Sequence, residues 1–184
     1  MAAPPTVREF RLVPATTSRA WEDGRYQRTF EHHFLDFLIN GRSLRDITHE
    51  PDMVTPLSRP WLEDVLTEVE RLLGRRETDG LSAGRAALLV CRVDGDIACG
   101  ALTARVHITD AHVGWTDWLW ETHRGGSAVE NDPGDLLFDR AAYEAELAGA
   151  LAGVQALPYD ELAHRGKRFL WPWEWGWRMV AREE

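Results

Sequence analysis

Cys91 and Cys99, His107 and His112, and Asp117 and Glu121 are the pairs whose types and spacing could do chemistry in this chain. A two-residue turn at Asp94-Gly95 would pair Cys91 with Ala98 across a hairpin and make Cys99 a diagonal neighbour, whereas a three-residue loop would bring the two cysteines directly opposite. Two thiolates with Asp94 or Asp96 could begin a metal site. A closed zinc site takes four N or S ligands, so two free thiols and no bound metal are expected. His107 and His112 flank the turn Ile108–Ala111 and are expected directly opposite one another, with Cβ atoms about 5 Å apart. With Asp110 they could hold a metal, although solvated histidines beside a turn are the commoner outcome. Asp117 and Glu121 fall on one face of a strand, a spacing that suits acid–base work and equally a solvated edge. His32 and His33 would point to opposite faces of a strand and could not act together. The chain has no G-x-S-x-G, P-loop, G-x-G-x-x-G or H-E-x-x-H. Gly125-Gly126-Ser127 lies in an acidic stretch and makes a poor phosphate cradle. No catalytic residue, metal ligand or cofactor is assigned.

Tryptophan is the stronger signal. The chain has nine. Trp171, Trp173, Trp175 and Trp177 alternate in the run WPWEWGW, and Trp115, Trp118 and Trp120 lie in a second, strand-like stretch. In an extended segment side chains at i and i+2 share a face. The C-terminal run would then present four indoles on one side. Trp118 and Trp120 would share a face in the other stretch, with Trp115 pointing the opposite way. An indole buries on the order of 200 Å², so four represent roughly 20 kcal/mol of transfer free energy before entropy is counted. Such a face becomes core, a partner interface or the wall of a ligand pocket. Pro172 cannot donate to a ladder, which sends the final strand to a sheet edge. An edge is an unusual place for core alone. Trp118, Trp120, Trp171, Trp173, Trp175 and Trp177 are therefore the candidate binding residues.

The elements that must position these residues are readable in part. The length of 184 residues suits a single domain over 1–184, with residues 1–6 frayed. Val7–Pro14 reads as a strand and Ala15–Gln27 as a polar loop. Leu35–Ile39 and Arg42–Ile47 flank Asn40-Gly41, which suits a type I′ hairpin turn. Ser58 and Pro60 open a helix whose apolar stripe is Leu62, Val65, Leu66, Val69, Leu72 and Leu73, with Gly74 just past its end. Leu66 and Val69 are expected to be fully buried. A β-meander follows over Ala86–Val93, Ile97–Val106 and His112–Glu121. Residues 123–134 read as a long loop. Asp139 caps a second helix with Tyr143, Leu147, Ala150, Leu151 and Val154 on its apolar face, and Phe169–Met179 closes the chain as an extended edge strand. The fold class expected is α+β: a mostly antiparallel sheet with two helices packed on one face, in two layers.

The net charge of −9 argues against nucleic acid and suits a basic partner. No apolar stretch is long enough to span a membrane. Absence of an export signal, with only two cysteines, points to a reducing cytoplasm.

The stretch LLVCRVDGDIACGALTARV, followed by Val113, Trp115 and Asp117 in V-x-W-x-D spacing, resembles an uncharacterised group of actinobacterial proteins. Their hairpin reads C-x-x-C-G-D-x-x-C-G. Cys91, Gly95, Asp96, Cys99 and Gly100 match it, and Asp94 stands where the middle cysteine would be. Any three-thiolate site in that group would be impaired in this chain. The resemblance implies no activity. The expected function is binding: a Trp-rich surface meeting a protein partner or a second copy of the chain, in the manner of an inhibitor or immunity protein toward a basic target. The alternative is a small-molecule enzyme with a Trp-lined pocket and acid–base groups drawn from Asp117, Glu121, His107 and His112.

Overall fold

The computed structural model describes residues 6–23, 26–93, 95–122, 124–159 and 178–179. The chain is mixed α+β and mostly sheet. Among the described residues there are two sheets where one was expected. The smaller is built on a long hairpin, β2 (Phe10–Asp23) and β3 (Tyr26–Ile39), paired in unbroken register from Phe10↔Ile39 to Asp23↔Tyr26. The stretch Ala15–Gln27, expected as loop, is therefore mainly strand. Its polar residues misled because the pairing of β2 with β3 is made backbone to backbone and does not need apolar side chains.

At the other end of β3 the Asn40-Gly41 turn forms as expected. Ile39 pairs with Arg42, and both turn residues have positive φ, 49° and 76°. The strand beyond it, β4, is only Arg42–Ser43. Ser43 then caps a short helix, α1 (Leu44–Thr48), by accepting from the Arg45 N–H at 3.2 Å. The expected strand Arg42–Ile47 is cut short by that cap.

The larger sheet is seven-stranded, mixed and curled. Its spine is β6 (Arg85–Cys91), β7 (Ala101–Ile108) and β8 (His112–Thr122), all antiparallel. β5 (Met53–Val54) flanks β6, and β9 (Gly125–Ala128) and β10 (Leu136–Asp139) both flank β8. β1 (Val7–Arg8) pairs in parallel with β10. Part of the expected loop 123–134 is thus strand β9. The meander is as expected in outline, but β6 and β7 do not join through a tight Asp94-Gly95 turn. The connection runs over residues 92–100 and includes a 3-10 turn at Ile97–Cys99.

Two bulges set the faces of this sheet. On β6 the register shifts between Ala87 and Leu89, so Leu88 and Leu89 are both fully buried. On β8 the pairs Thr103↔Leu119 and Arg105↔Thr116 leave one extra residue, and Asp117 there has φ +53°. An inserted residue reverses the alternation beyond it. Trp115 and Trp118 consequently share the core side, with ring centroids 6.2 Å apart. Strict alternation had placed them on opposite faces.

The first helix comes in two pieces. A 3-10 turn (Arg59–Asp64) kinks at Trp61 and leads into α2 (Val65–Leu72). Pro60 lies in the first turn, but the Ser58 hydroxyl donates to the Thr55 carbonyl at 2.7 Å instead of capping the helix. The kink rotates the stripe: Val65, Val69 and Leu72 are buried while Leu66 is 59% exposed, contrary to expectation. Gly74 takes φ +63° just past the end of α2, as a C′ glycine does. The second expected helix is broken at Gly149 into α3 (Arg140–Ala148) and α4 (Ala150–Ala156). The Asp139 carboxylate caps α3 by accepting from the Ala142 N–H at 2.9 Å.

Both sheets and the helices meet in one hydrophobic cluster. Phe10 and Phe37 from the hairpin sheet, Trp115 and Phe138 from the larger sheet, and Tyr143 from α3 form its aromatic centre. The Trp115 Nε1–H donates to the Tyr143 hydroxyl at 3.2 Å, and that hydroxyl donates to the Leu72 carbonyl at 3.1 Å. Both buried polar tips are satisfied, as burial requires. Burial pushes the Tyr143 phenol far above its ordinary range.

Candidate functional site

The candidate indoles divide by position. Trp118 is buried at 4% exposure, and its Nε1–H donates to the Gly134 carbonyl at 2.8 Å. Trp120 is half-buried against the same core and lies on Gly100: a Cβ at Gly100 would sit 2.6 Å from the indole Cζ2. The mid-chain indoles thus serve packing, with part of Trp120 reaching solvent. Trp171, Trp173, Trp175 and Trp177 lie outside the described residues. The residues that follow them are placed: Arg178–Met179 form β11, which pairs antiparallel with Gln27 and Tyr26 of β3. Among the described residues β11 is the last strand on that side of the hairpin sheet. Of the expected strand Phe169–Met179 only Arg178–Met179 are described, and they are extended; the rest of that segment lies outside the described residues.

Asp117 and Glu121 do converge, on a residue that spacing did not single out. Arg85 opens β6, and its side chain is 1% exposed. Its Nε–H is shared between Glu121 Oε2 at 2.8 Å and Thr103 Oγ1 at 3.1 Å. One terminal nitrogen donates to Asp117 Oδ2 at 2.8 Å, the other to the Thr103 and Asp117 carbonyls. The Thr103 hydroxyl also donates to Glu121 Oε2. A buried guanidinium needs such saturation. With Glu121 and Asp117 both committed to Arg85, this arrangement builds a polar clamp across three strands rather than a poised acid–base pair. The sequence signal was present in retrospect: one arginine heading an otherwise apolar strand.

The histidine and cysteine pairs are not assembled. Ile108 pairs with Val113, which sets His107 opposite Gly114, so His107 and His112 are offset. The turn is closed by Thr109, whose hydroxyl accepts from the His112 N–H at 3.0 Å. Cys91 pairs with Met53 on β5, and Cys99 is exposed in the 3-10 turn. Among the described residues no group of three His, Cys, Asp or Glu could hold a metal. His32 is buried and His33 half-buried on opposite faces of β3, as expected.

One pocket lies where α2, β6, the 3-10 turn before α2 and the 92–100 connection meet, with a volume of about 140 Å³. Trp61, Val90 and Ile97 supply apolar wall, and Asp64, Glu68, Arg71 and Thr78 supply polar groups. Glu68 and Arg71 are an i,i+3 ion pair on α2, largely shielded from solvent. Burial raises the Glu68 carboxyl above its ordinary range, the neighbouring Arg71 opposing the shift. The Arg71 Nε–H is buried and has no hydrogen-bond partner among the described residues. Sequence reasoning read this helix only as an apolar stripe and missed its inward-leaning charged pair. No helix of the described residues is long and apolar enough to cross a membrane.

No protein-family model, curated protein or solved structure matches this chain.

Proposed function

We propose that this chain is a binding module whose working surface is the Trp-rich C-terminal segment, with a protein partner or a second copy of the chain as its target. The observation that carries this reading is the position of β11. Arg178–Met179, directly after the Trp run, pair with Tyr26 and Gln27 of β3 and end the order of the hairpin sheet among the described residues. An edge strand offers backbone groups to a partner strand, and indoles beside it offer the aromatic anchors that dominate interfaces.

Two further observations support it. Trp115 and Trp118 are in the core with satisfied N–H groups and Trp61 walls the pocket beside α2, so four of the six remaining indoles of this sequence are Trp171, Trp173, Trp175 and Trp177. The groups an enzyme reading would use are either offset, as His107 and His112 are, or tied to Arg85, as Asp117 and Glu121 are. The net charge of −9 favours a basic partner, as for an inhibitor or immunity-like protein, through faster encounter.

Sedimentation velocity of the full chain, alone and with basic proteins as candidate partners, tests the proposal. Association that weakens in Trp173→Phe or Trp175→Phe, with unchanged far-UV circular dichroism, supports it. A chain that stays monomeric and partnerless, with all four variants indistinguishable from wild type, overturns it.

A further inference from the structure

We propose that the pocket between α2 and β6 binds a neutral ring alcohol of phenol's size, its apolar body against Ala87, Val90 and Ile97 and its hydroxyl donating to the carboxylate side formed by Asp64 and Glu68.

Size and surface set the body of the ligand. The volume of about 140 Å³ is close to the roughly 150 Å³ of an apolar cavity that takes one benzene molecule, so a single six-membered ring fits. A ring also has few internal rotations to lose on binding. The apolar side of the pocket continues a hydrophobic cluster. Ala87 and Val90 belong to that cluster, and Trp61 and Ile97 pack against it. At Ala87 the lining carries only a methyl group, which leaves the room that a larger side chain would fill.

Charge excludes an ionic ligand. Asp64 and Glu68 are matched by Arg71 in the lining and by Arg76, which also acts on Glu68. These four charges sum to zero, so a cation or an anion meets no excess of opposite sign to offset its loss of water.

Hydrogen bonding then fixes the polar group. Arg71 gives a terminal nitrogen to Glu68, and its Nε is sealed from solvent. The Thr78 hydroxyl donates to the Arg85 carbonyl at 3.2 Å. Asp64 is exposed, and Glu68 keeps 13% of its side chain accessible. The polar side thus offers mainly acceptors, and its ligand must donate. Burial already disfavours the Glu68 anion, and a hydroxyl proton directed at that carboxylate offsets the cost.

The frame is set before any ligand arrives. On Gly95, at φ +68°, a Cβ would come 2.9 Å from the Trp61 Cζ2, so the 92–100 connection packs with its backbone directly on the indole. A pre-set wall lowers the entropy lost on binding.

The test is titration of the ¹⁵N-labelled full chain, following the Trp61 indole N–H, which is assigned by its loss in Trp61→Phe. The probes are phenol and cyclohexanol, which separate a flat aromatic ligand from an aliphatic one. Toluene matches phenol in shape without the hydroxyl, and cyclohexylammonium matches cyclohexanol with a charge. Saturable binding of at least one alcohol in about the millimolar range, about tenfold tighter than its matched control, is the expected result. Ala87→Leu fills the pocket and should abolish the response. Should that variant fail to fold, the comparison of probes on the wild-type chain decides alone. No saturation by either alcohol, equal or tighter binding of the matched controls, or an unchanged response in folded Ala87→Leu overturns the proposal. The C-terminal indoles play no part in this test, so its outcome is independent of the binding module proposed above.

Discussion

Glu121→Ala should cost about 3 kcal/mol of folding stability, the lower end of the 3–5 kcal/mol typical when one partner of a buried ion pair is removed. The value follows from what would remain around Arg85. Its guanidinium is 1% exposed, so the charge cannot escape to water. Losing Glu121 removes the 2.8 Å contact to Nε and one of two acceptors of the Thr103 hydroxyl, the Leu119 carbonyl at 3.2 Å remaining. Asp117 still holds one terminal nitrogen at 2.8 Å, which keeps the cost from the upper end of the range. Asp117 itself is 52% exposed and its backbone carbonyl would stay in place, so Asp117→Asn should cost about 1 kcal/mol or less. Asparagine also tolerates the φ of +53° at that bulge. Replacing both members of the buried pair, Arg85→Met with Glu121→Leu, removes the stranded charge and should recover most of the loss. Urea unfolding followed by fluorescence gives each value from the midpoint at constant slope. If Glu121→Ala costs no more than Asp117→Asn, or if the double variant is worse than Glu121→Ala, the clamp is not what holds these three strands in register.

Leu66→Ala should change stability by no more than about 0.5 kcal/mol because the side chain is 59% exposed, while Leu72→Ala on the buried face should cost about 2–5 kcal/mol; urea midpoints of the two variants check the direction of the stripe. Gly100→Ala should destabilise by about 1–3 kcal/mol in thermal unfolding, since φ is +101° and the new Cβ would lie 2.6 Å from Trp120; a neutral result would mean that this indole packs elsewhere. Burial holds the Asp36 carboxyl above its ordinary value of 3.8, against Ser43 and Arg45, which lower it, so the folded chain keeps this proton to higher pH than the unfolded chain does. Stability from this group is complete below 3.8 and falls as pH rises through the raised value. Asp36→Asn should therefore gain on wild type as pH rises over that window, read from urea midpoints between roughly pH 3 and 7, and a pH-independent difference would contradict the shift.

Much of the local architecture was legible in the sequence because it rests on short-range rules. Asn40-Gly41 specifies its turn through positive φ, Asp139 specifies a helix start through its carboxylate, and Gly74 marks a helix end. The errors arose where tertiary contacts override period. One extra residue at Asp117 reverses the faces of β8 and sends Trp115 and Trp118 to the same side. A kink at Trp61 turns Leu66 outward. The long hairpin was hidden because residues 15–27 pair backbone to backbone without an apolar face to announce it. The same limit applies to the site. Asp117 and Glu121 were seen to share a face, but their partner Arg85 lies two strands away on β6, and no spacing rule connects them. The pocket on α2 draws on Trp61, Glu68, Thr78 and Gly95, a convergence that only the folded chain creates.

The central claim is that the C-terminal indoles are working surface. It is tested most directly by acrylamide quenching of intrinsic fluorescence in wild type and in single Trp→Phe variants at 171, 173, 175 and 177. Trp115 and Trp118 are buried and should contribute little to the quenchable fraction. The account predicts that at least one of the four variants loses a substantial part of that fraction, and that partner binding or self-association shields the same indole in wild type. All four indoles fully shielded in an isolated monomer, unchanged by any partner, would make the run core and contradict the account.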